Sequence, residues 1–345
     1  MGLNNPPVGL SYRPDFSLSA DGNDITPIFQ RNLISLTLTD NAGNESDRLA
    51  LSVAFPASIP TPKKGAVLRL GLGFNGNLID KGQFVVDEVT SSGPPRVIQI
   101  VANAAPMDNR KQPGSLQTQK TRSWDGVTLG DMVKAIAGEH GLVPRVNSEL
   151  ASVRIDHVDQ VSESDMNLLT RLAKRYGAVS KPANGYWLFL KEGEGKSASG
   201  KKLTSIAIRP EQVTNWQCRF SSRNDVRRVT ATYHDVESGD TKEVSTGTGE
   251  PEFKIVFKYP NYDEAKAAVV ARAKAVKAGS DTLDITMPAR SSLMALVAEG
   301  HLNLEGFGDV EDGEWRLKTV EWSLSESGLQ LRLAGDHGLI GTRWQ

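Results

Sequence analysis

The chain reads as a mainly β protein with an α+β insertion: two related β-barrel domains and a small α+β domain. Three observations lead there. Strand-sized apolar runs recur every ~10 residues, with Gly, Pro, Asn and Asp between them. Two stretches with helical spacing lie together in the middle of the chain. A pattern near residue 70 returns, weakened, near residue 305.

The first β-barrel domain is placed at residues 1–114. Phe16 to Ala20 alternates and Asp21-Gly22 follows as a turn. Leu33, Leu36 and Leu38 lie in a Thr- and Ser-rich run that breaks at residues 40–44. Val67, Leu68, Leu70 and Leu72 form another strand, Phe84-Val85-Val86 a further one, and Val97 to Val101 the last. Strands near 203–220 are available to complete this barrel. The polar stretch containing Pro113-Gly114 reads as a loop.

The inserted α+β domain is placed at 115–192. A helix is predicted near 128–140, with Leu129, Met132, Val133, Ile136 and Ala137 on one face, Thr128 and Asp131 as a capping box and Gly141 as the stop. A second is predicted near 164–176, striped by Met166, Leu169, Leu172, Ala173 and Tyr176 and ended by Gly177. Tyr186 to Leu190 is a strand. The hydrophilic run from 192 to 202 reads as a flexible linker. The second β-barrel domain is placed at 203–345, interrupted by an Ala- and Lys-rich helix near 262–278 that Asn261 can cap and Gly279 can end.

The repeat pairs residues 65–89 with 300–320. Gly73-Phe74 corresponds to Gly306-Phe307. Gly82-Gln83-Phe84 corresponds to Gly313-Glu314-Trp315. Val89 and Val320 each follow the aromatic by five residues, and a last alternating strand ends at Ala102 in one copy and Ala334 in the other. Antiparallel strands with glycine turns also resemble one another without common descent. A true duplication has a geometric use, because three chains with two similar units each present six around an axis.

Composition narrows the function. Of 345 residues, 40 are Lys or Arg and 41 are Asp or Glu, a balance that argues against coating nucleic acid as the main role. The single cysteine, Cys218, excludes an intramolecular disulfide and any multi-cysteine metal site, and fits a reducing compartment such as bacterial cytoplasm. The N-terminal residues carry no signal-peptide pattern, and no apolar run approaches the ~20 residues of a membrane span.

The chemical motifs fail on inspection. Gly71 to Gly76 matches G-x-G-x-x-G, but a turn follows where a dinucleotide site needs a helix. Gly195-Lys196-Ser197 lacks the upstream Gly of a P-loop. Residues 309–314 miss calcium-loop spacing, because Glu314 stands where Gly is required. The five histidines show no zinc-protease spacing and read as surface or capping residues. Cys218 reads as a core filler. No catalytic, cofactor or metal residue is assigned. In Gln160 to Asp165, Ser162 or Ser164 can cap a helix and the acidic residues suit its positive end; a direct contact between subunits is the other reading.

Several segments carry a resemblance. They are Arg13-Pro14-Asp15-Phe16, Asp21 to Thr26, Leu36 to Asp40, Glu45-Ser46-Asp47, Gly82 to Val89, Arg122 to Asp131 with Trp124 inside it, Gln160 to Asp165, Leu168-Leu169 and Arg171-Leu172-Ala173. In this order the chain resembles the phage late control protein D family of contractile-tail hubs, and is similar to the hub portion of VgrG spikes. The resemblance implies tail-tube-like barrels and a homotrimer. Its implied partners are the hexameric tail tube protein, a trimeric membrane-piercing spike protein and a baseplate or LysM-like component, with the tape measure a further candidate. It implies assembly in the bacterial cytoplasm and then residence in a phage virion or pyocin particle. The chain reaches Gln345 without a fused spike, which favours phage tail or R-type pyocin over a VgrG-type spike. The structural or interface candidates are Gln160, Glu163, Ser164, Asp165, Trp124, Gly82, Phe84, Gly313 and Trp315. A carbohydrate-binding β protein and a cell-wall hydrolase of a tail are the alternatives.

Overall fold

The computed structural model describes residues 13–43, 45–104, 116–183, 185–193, 205–221, 226–278 and 281–337. The Pro113-Gly114 loop, most of the linker from 192 to 202, the Gly195-Lys196-Ser197 motif, Gly279 and Gln345 lie outside them.

The chain begins with β1 (Pro14–Ala20), β2 (Asn23–Asp24), α1 (Thr26–Asn32), β3 (Leu33–Asn41), β4 (Arg48–Val53), β5 (Val67–Phe74), β6 (Asn77–Ser92) and β7 (Val97–Ala104). Then come β8 (Gln119–Thr128), α2 (Leu129–Glu139), β9 (Val143–Val146), α3 (Ser148–Ala151), β10 (Arg154–Ser164), α4 (Asp165–Arg175), β11 (Ala178–Ala183) and β12 (Tyr186–Lys191). The remainder is β13 (Ile206–Ile208), β14 (Asn215–Arg219), β15 (Arg228–His234), β16 (Thr241–Gly247), β17 (Glu252–Tyr259), α5 (Tyr262–Ala278), β18 (Thr282–Pro288), β19 (His301–Leu304), β20 (Gly313–Ser325) and β21 (Gly328–Asp336).

Among the described residues, thirteen strands form one large sheet. It divides into two groups with the same neighbour order. In the N-terminal group β3, β4, β7, β6, β5 and β1 follow one another; in the C-terminal group β14, β18, β21, β20, β19 and β13 do. The groups differ at the last step, where β1 runs antiparallel to β5 but β13 runs parallel to β19. They join where β20 pairs with β3, from Thr319 opposite Asn41 to Ser325 opposite Ser35. Alternation makes this joint two-faced. Leu36, Leu38, Trp322 and Leu324 point into a single core that spans both groups, while the Thr37 and Ser323 hydroxyls meet on the other face.

The repeat extends to detail. Phe84 lies opposite Leu68, and Trp315 opposite Leu302, each buried. Both long strands shift register after the aromatic, β6 between Val86 and Glu88 and β20 between Leu317 and Thr319. Before the shift, Val86 N–H donates to Ala66 and its carbonyl accepts from Gly65; Leu317 does the same with Gly300 and Glu299. Gly65 and Glu299 both have positive φ, 84° and 67°. One detail differs from expectation. Registers place Leu317 opposite Gly335 and Val86 opposite Ala102, so Ala102 corresponds to Gly335 rather than to Ala334.

Two expected assignments change. The strands near 203–220 pair with β19 and β18, so they complete the C-terminal group and not the first. Their registers leave no partner for them among β1–β7. Residues 226–278, expected within the second barrel, instead build a separate three-stranded sheet, β16-β15-β17, under α5. Its own small core of Val229, Ala231, Ala265, Ala268 and Val269 explains the weak apolar face of that helix. Helix α1 was not foreseen; Pro27 starts it, and Phe29 meets Phe55 edge-on at 5.1 Å.

Between the groups sits the α+β segment. Helices α2 and α4 lay their apolar stripes against Ile155, Val158, Trp187 and Phe189. Thr128 caps α2 by accepting from Asp131 N–H at 3.1 Å, and Gly141 beyond its C-cap has φ of 69°. The Gly71 to Gly76 run is a β5–β6 hairpin with Asn75 and Gly76 at positive φ, not a strand leading into a helix.

Candidate functional site

Strand β8 alternates, so Lys120, Arg122 and Trp124 share one face and are all half-buried. Antiparallel β10 brings Gln160 opposite Arg122 and Glu163 opposite Lys120. The register shifts between Gln160 and Glu163, with Ser162 at φ of 47°. This bulge re-aims the strand end so that Gln160, Ser164 and Asp165 all turn inward. Ser164 then starts α4, accepting from Asn167 N–H at 3.2 Å. Ser162 does not cap it.

Asp165 is fully buried, and its carboxylate gathers the network. Lys120 Nζ donates to Oδ2 at 2.5 Å, Arg122 Nη2 to Oδ1 at 2.7 Å and Gln160 Nε2 to Oδ1 at 2.8 Å. His140 Nε2 lies 2.7 Å from Oδ2. Arg122 Nε also donates to Gln160 Oε1 at 2.8 Å, and Glu139 accepts from both Arg122 and Lys120. Burial alone would push the Asp165 carboxyl up. Hydrogen bonds from Lys120, Gln160 and His140, with the Arg122 charge, outweigh burial and hold it at about 2. Arg122 also stands over the Trp124 ring, 4.6 Å from its centre. Glu163 faces outward and is clasped by Arg171 at 2.7 and 3.1 Å.

Five of the sequence candidates therefore meet here: Trp124, Gln160, Glu163, Ser164 and Asp165. Lys120, Arg122, Glu139 and His140 complete the cluster and were missed. The i, i+2, i+4 spacing of Lys120, Arg122 and Trp124 is the signal that could have found the first two. His140, expected at a surface or cap, does end α2, but its ring is buried beside Trp187. Gly82 and Phe84, and Gly313 and Trp315, lie elsewhere, at matching places in the two strand groups. The cluster is a closed lattice of charge-assisted hydrogen bonds that locks α2, α4, β8 and β10 together. It presents no free nucleophile or base.

A second polar cluster lies where both strand groups meet the α+β segment. A cleft of about 520 Å³ is lined by Leu38, Asp40, Asp47, Lys81, Lys181 and Trp322, among others. Lys81 sits over the Trp322 ring at 3.6 Å and donates to the Met294 carbonyl at 2.6 Å. Asp40 accepts from Ala298 N–H at 2.9 Å. Lys181 bonds Asp47 at 2.6 Å and the Asn41 carbonyl at 2.9 Å. Burial, with Asp47 nearby, pushes the Asp40 carboxyl up to about 7, and burial brings Lys81 down to about 8. Nearby, Arg316 forks onto Asp336 at 3.1 and 2.9 Å and reaches Glu192 at 3.0 Å. These pairs span segments far apart in sequence and fix how they sit together.

The remaining candidates are accounted for locally. Asp312 accepts from Gly306 and Phe307 N–H, both at 2.8 Å, so the acidic 309–314 loop is stapled to itself. The Cys218 thiol is pushed up to about 12 by burial and by Glu311, which leaves little thiolate at neutral pH. Among the described residues, no group of three His, Cys, Asp or Glu side chains is placed to hold a metal, and no helix is long and apolar enough to cross a membrane.

Comparison with known proteins agrees with this architecture. A probable baseplate hub protein of Escherichia phage P2 is 39% identical over 226 residues, which is 65% of this chain and 57% of that protein. The chain thus matches little more than half the length of that relative. The 43 kDa tail protein of prophage MuSo2 from Shewanella oneidensis shares the fold, with a TM-score of 0.68 at 14% identity over 93% of this chain and 97% of the other. A Francisella PdpA–VgrG complex contains a chain with a TM-score of 0.56 at 7% identity, covering 96% of this chain and 59% of that one. The profile of the phage tail baseplate hub (GPD) family matches residues 115–328, and with that match across most of its length the chain belongs to this family.

Proposed function

We propose that this chain is a structural baseplate hub, a homotrimer that joins a hexameric tail tube to a trimeric spike in a contractile particle. The supporting observation is the repeated strand order, β3-β4-β7-β6-β5-β1 and β14-β18-β21-β20-β19-β13, within one sheet and over one core. In this reading each group is a tail-tube-like barrel. Three chains then offer six similar units to a six-fold tube while keeping three-fold symmetry for a spike. The α+β segment and the α5 unit face a baseplate or LysM-like component, and the tape measure reaches the lumen. Assembly takes place in bacterial cytoplasm and the product is a virion or pyocin particle.

A hub needs rigidity more than chemistry. The interlocked Asp165 and Asp40 clusters suit that need, because each ties together elements from distant parts of the chain. The carbohydrate-binding reading asks for a cluster of exposed aromatics. Trp187, Trp315 and Trp322 are instead fully buried, and the exposed Trp216 and Phe257 stand on different sheets. The hydrolase reading asks for a carboxyl pair free to act on substrate, whereas Asp165 is closed in by four partners and, in the cleft, Asp47 is paired with Lys181 and Asp40 is held by Ala298 N–H.

The test is stoichiometry. Mixed with a candidate tail tube protein and a candidate spike protein, the chain is expected to form a stable complex of three hub and three spike chains. A chain that stays single under those conditions overturns the proposal. Zymography on cell walls is expected to show no clearing.

A further inference from the structure

Several strand edges are open among the described residues, and two of them, one in each strand group of the large sheet, correspond through the repeat. On the side of β6 that faces β5, pairing with β5 stops at Val85 and with the chain before it at Val86, so Glu88 to Ser92 are open there. The outer edge of β14 is likewise open, since β14 pairs only with β18. An unpaired edge is a template for another strand.

The repeat says which strand. In the C-terminal group, the segment equivalent to the open part of β6 is Thr319 to Ser323 of β20, and it is covered by β3. The strand equivalent to β3 is β14, because both occupy the outer place beside β4 or β18. The joint within the chain is therefore β20 against β3, and its counterpart is β6 against β14. Within one chain six strands of the sheet separate β14 from β6, so the partner of β6 comes from a second copy.

We propose that β6 of one chain pairs antiparallel with β14 of the next, repeating between chains the joint that β20 and β3 make within one. The proposal rests on the reading of the chain as a closed trimer. Head-to-tail joints of this kind close into a ring.

The register follows from the existing one. Val320 faces Asp40, Glu321 faces Thr39, Trp322 faces Leu38 and Ser323 faces Thr37. Counting through the matched strands gives Val89 opposite Phe220, Thr90 opposite Arg219, Ser91 opposite Cys218 and Ser92 opposite Gln217. Faces agree with this counting. Cys218 and Phe220 pack against the core, as Leu38 does, while Gln217 and Arg219 are exposed. Exposure agrees as well. Val320 and Trp322 are 0% and 1% exposed under β3, whereas Thr90, Ser91 and Ser92 are exposed and Trp216 on β14 is 37% exposed. Pro94 and Pro95 lack the N–H that pairing needs, so the joint ends by Gly93.

Disulfide trapping tests it. Facing residues of antiparallel strands stand ~4.5–5.5 Å apart between Cα atoms, within disulfide reach. Cys218 is the single native cysteine, so Ser91→Cys supplies its partner. Oxidised S91C is expected to give a ladder ending at three chains on a non-reducing gel, at least tenfold above Ser92→Cys, which points to the other face. Because Cys218 is partly buried, a second pair repeats the test outside: S92C with Q217C in a C218S background. The native mass of reduced wild-type protein, alone and with tube and spike proteins, is measured in parallel. A three-chain assembly without crosslinking of either pair, or with S92C as reactive as S91C, overturns this joint and leaves the hub reading standing. A wild-type chain that never leaves the single state overturns both.

Discussion

Asp165 takes its four partners from three separate places: Lys120 and Arg122 on β8, His140 at the end of α2 and Gln160 before the β10 bulge. Removing the carboxylate charge leaves Lys120 and Arg122 partly buried with Glu139 alone to balance two cations, which is costlier than losing the cluster as a whole. Asp165→Asn is expected to destabilise the segment from 119 to 191 by about 3 kcal/mol. Hydrogen exchange is expected to show the loss there and not in the large sheet. The pH dependence has a definite sign. The folded carboxyl lies at about 2, below the ~3.9 of an exposed Asp. Its contribution is thus complete above pH ~4 and is lost as pH falls toward 2, roughly 2 kcal/mol in all. In D165N that acid-side decline is expected to shrink. At the neighbouring position, Ser164→Ala removes the cap of α4 and is expected to cost about 1 kcal/mol, while Ser162→Ala leaves the helix start unchanged.

Elements show how far sequence reasoning reaches. The helices near 128–140, 164–176 and 262–278 and most strands were legible because each carries its own period and its own Gly or Asn punctuation. Pairing was not legible, since β14 reads the same whether it borders β18 or β3. The side chains that fill the Asp165 cluster were half visible: Gln160 to Asp165 stood out as a motif, but their partners on β8 and at the end of α2 lie 25 to 45 residues away. Phe84 and Trp315 illustrate the gain from pairing. Each is the buried aromatic just before a bulge in a long strand, opposite a Leu, so each fills the same place in its group. Phe84→Ala and Trp315→Ala are expected to cost about 3–5 kcal/mol each, from lost burial and the cavity left behind. Because the two groups share one core, either loss is expected to lower a single common unfolding transition of the large sheet. Two separate transitions, only one of them moved, would show the groups to be independent.

At the scale of the molecule, the junction of the two strand groups and the α+β segment is held by groups that titrate near neutrality. Asp40 receives a hydrogen bond from Ala298 of the C-terminal group and faces Asp47, Lys181 and Lys81. Its carboxyl is pushed up to about 7 by burial first and Asp47 second. A carboxyl raised on folding favours the folded state below its unfolded value of ~3.9, and that advantage is lost as pH rises through 7. Lys81, brought down to about 8 by burial, acts in a separate window, since the folded state binds its proton less well than the unfolded one between 8 and ~10.4. Stability of the large sheet is therefore expected to fall from pH 5 to pH 7.5 through Asp40. Asp40→Asn keeps the shape and the acceptor for Ala298 but removes the charge that must otherwise form among buried groups. Its thermal midpoint is expected to stay level over that interval while the wild-type midpoint falls. Equal slopes in the two proteins would show that Asp40 does not govern this junction, and the rigidity assigned to it would have to come from the Lys181–Asp47 and Arg316–Asp336 pairs alone.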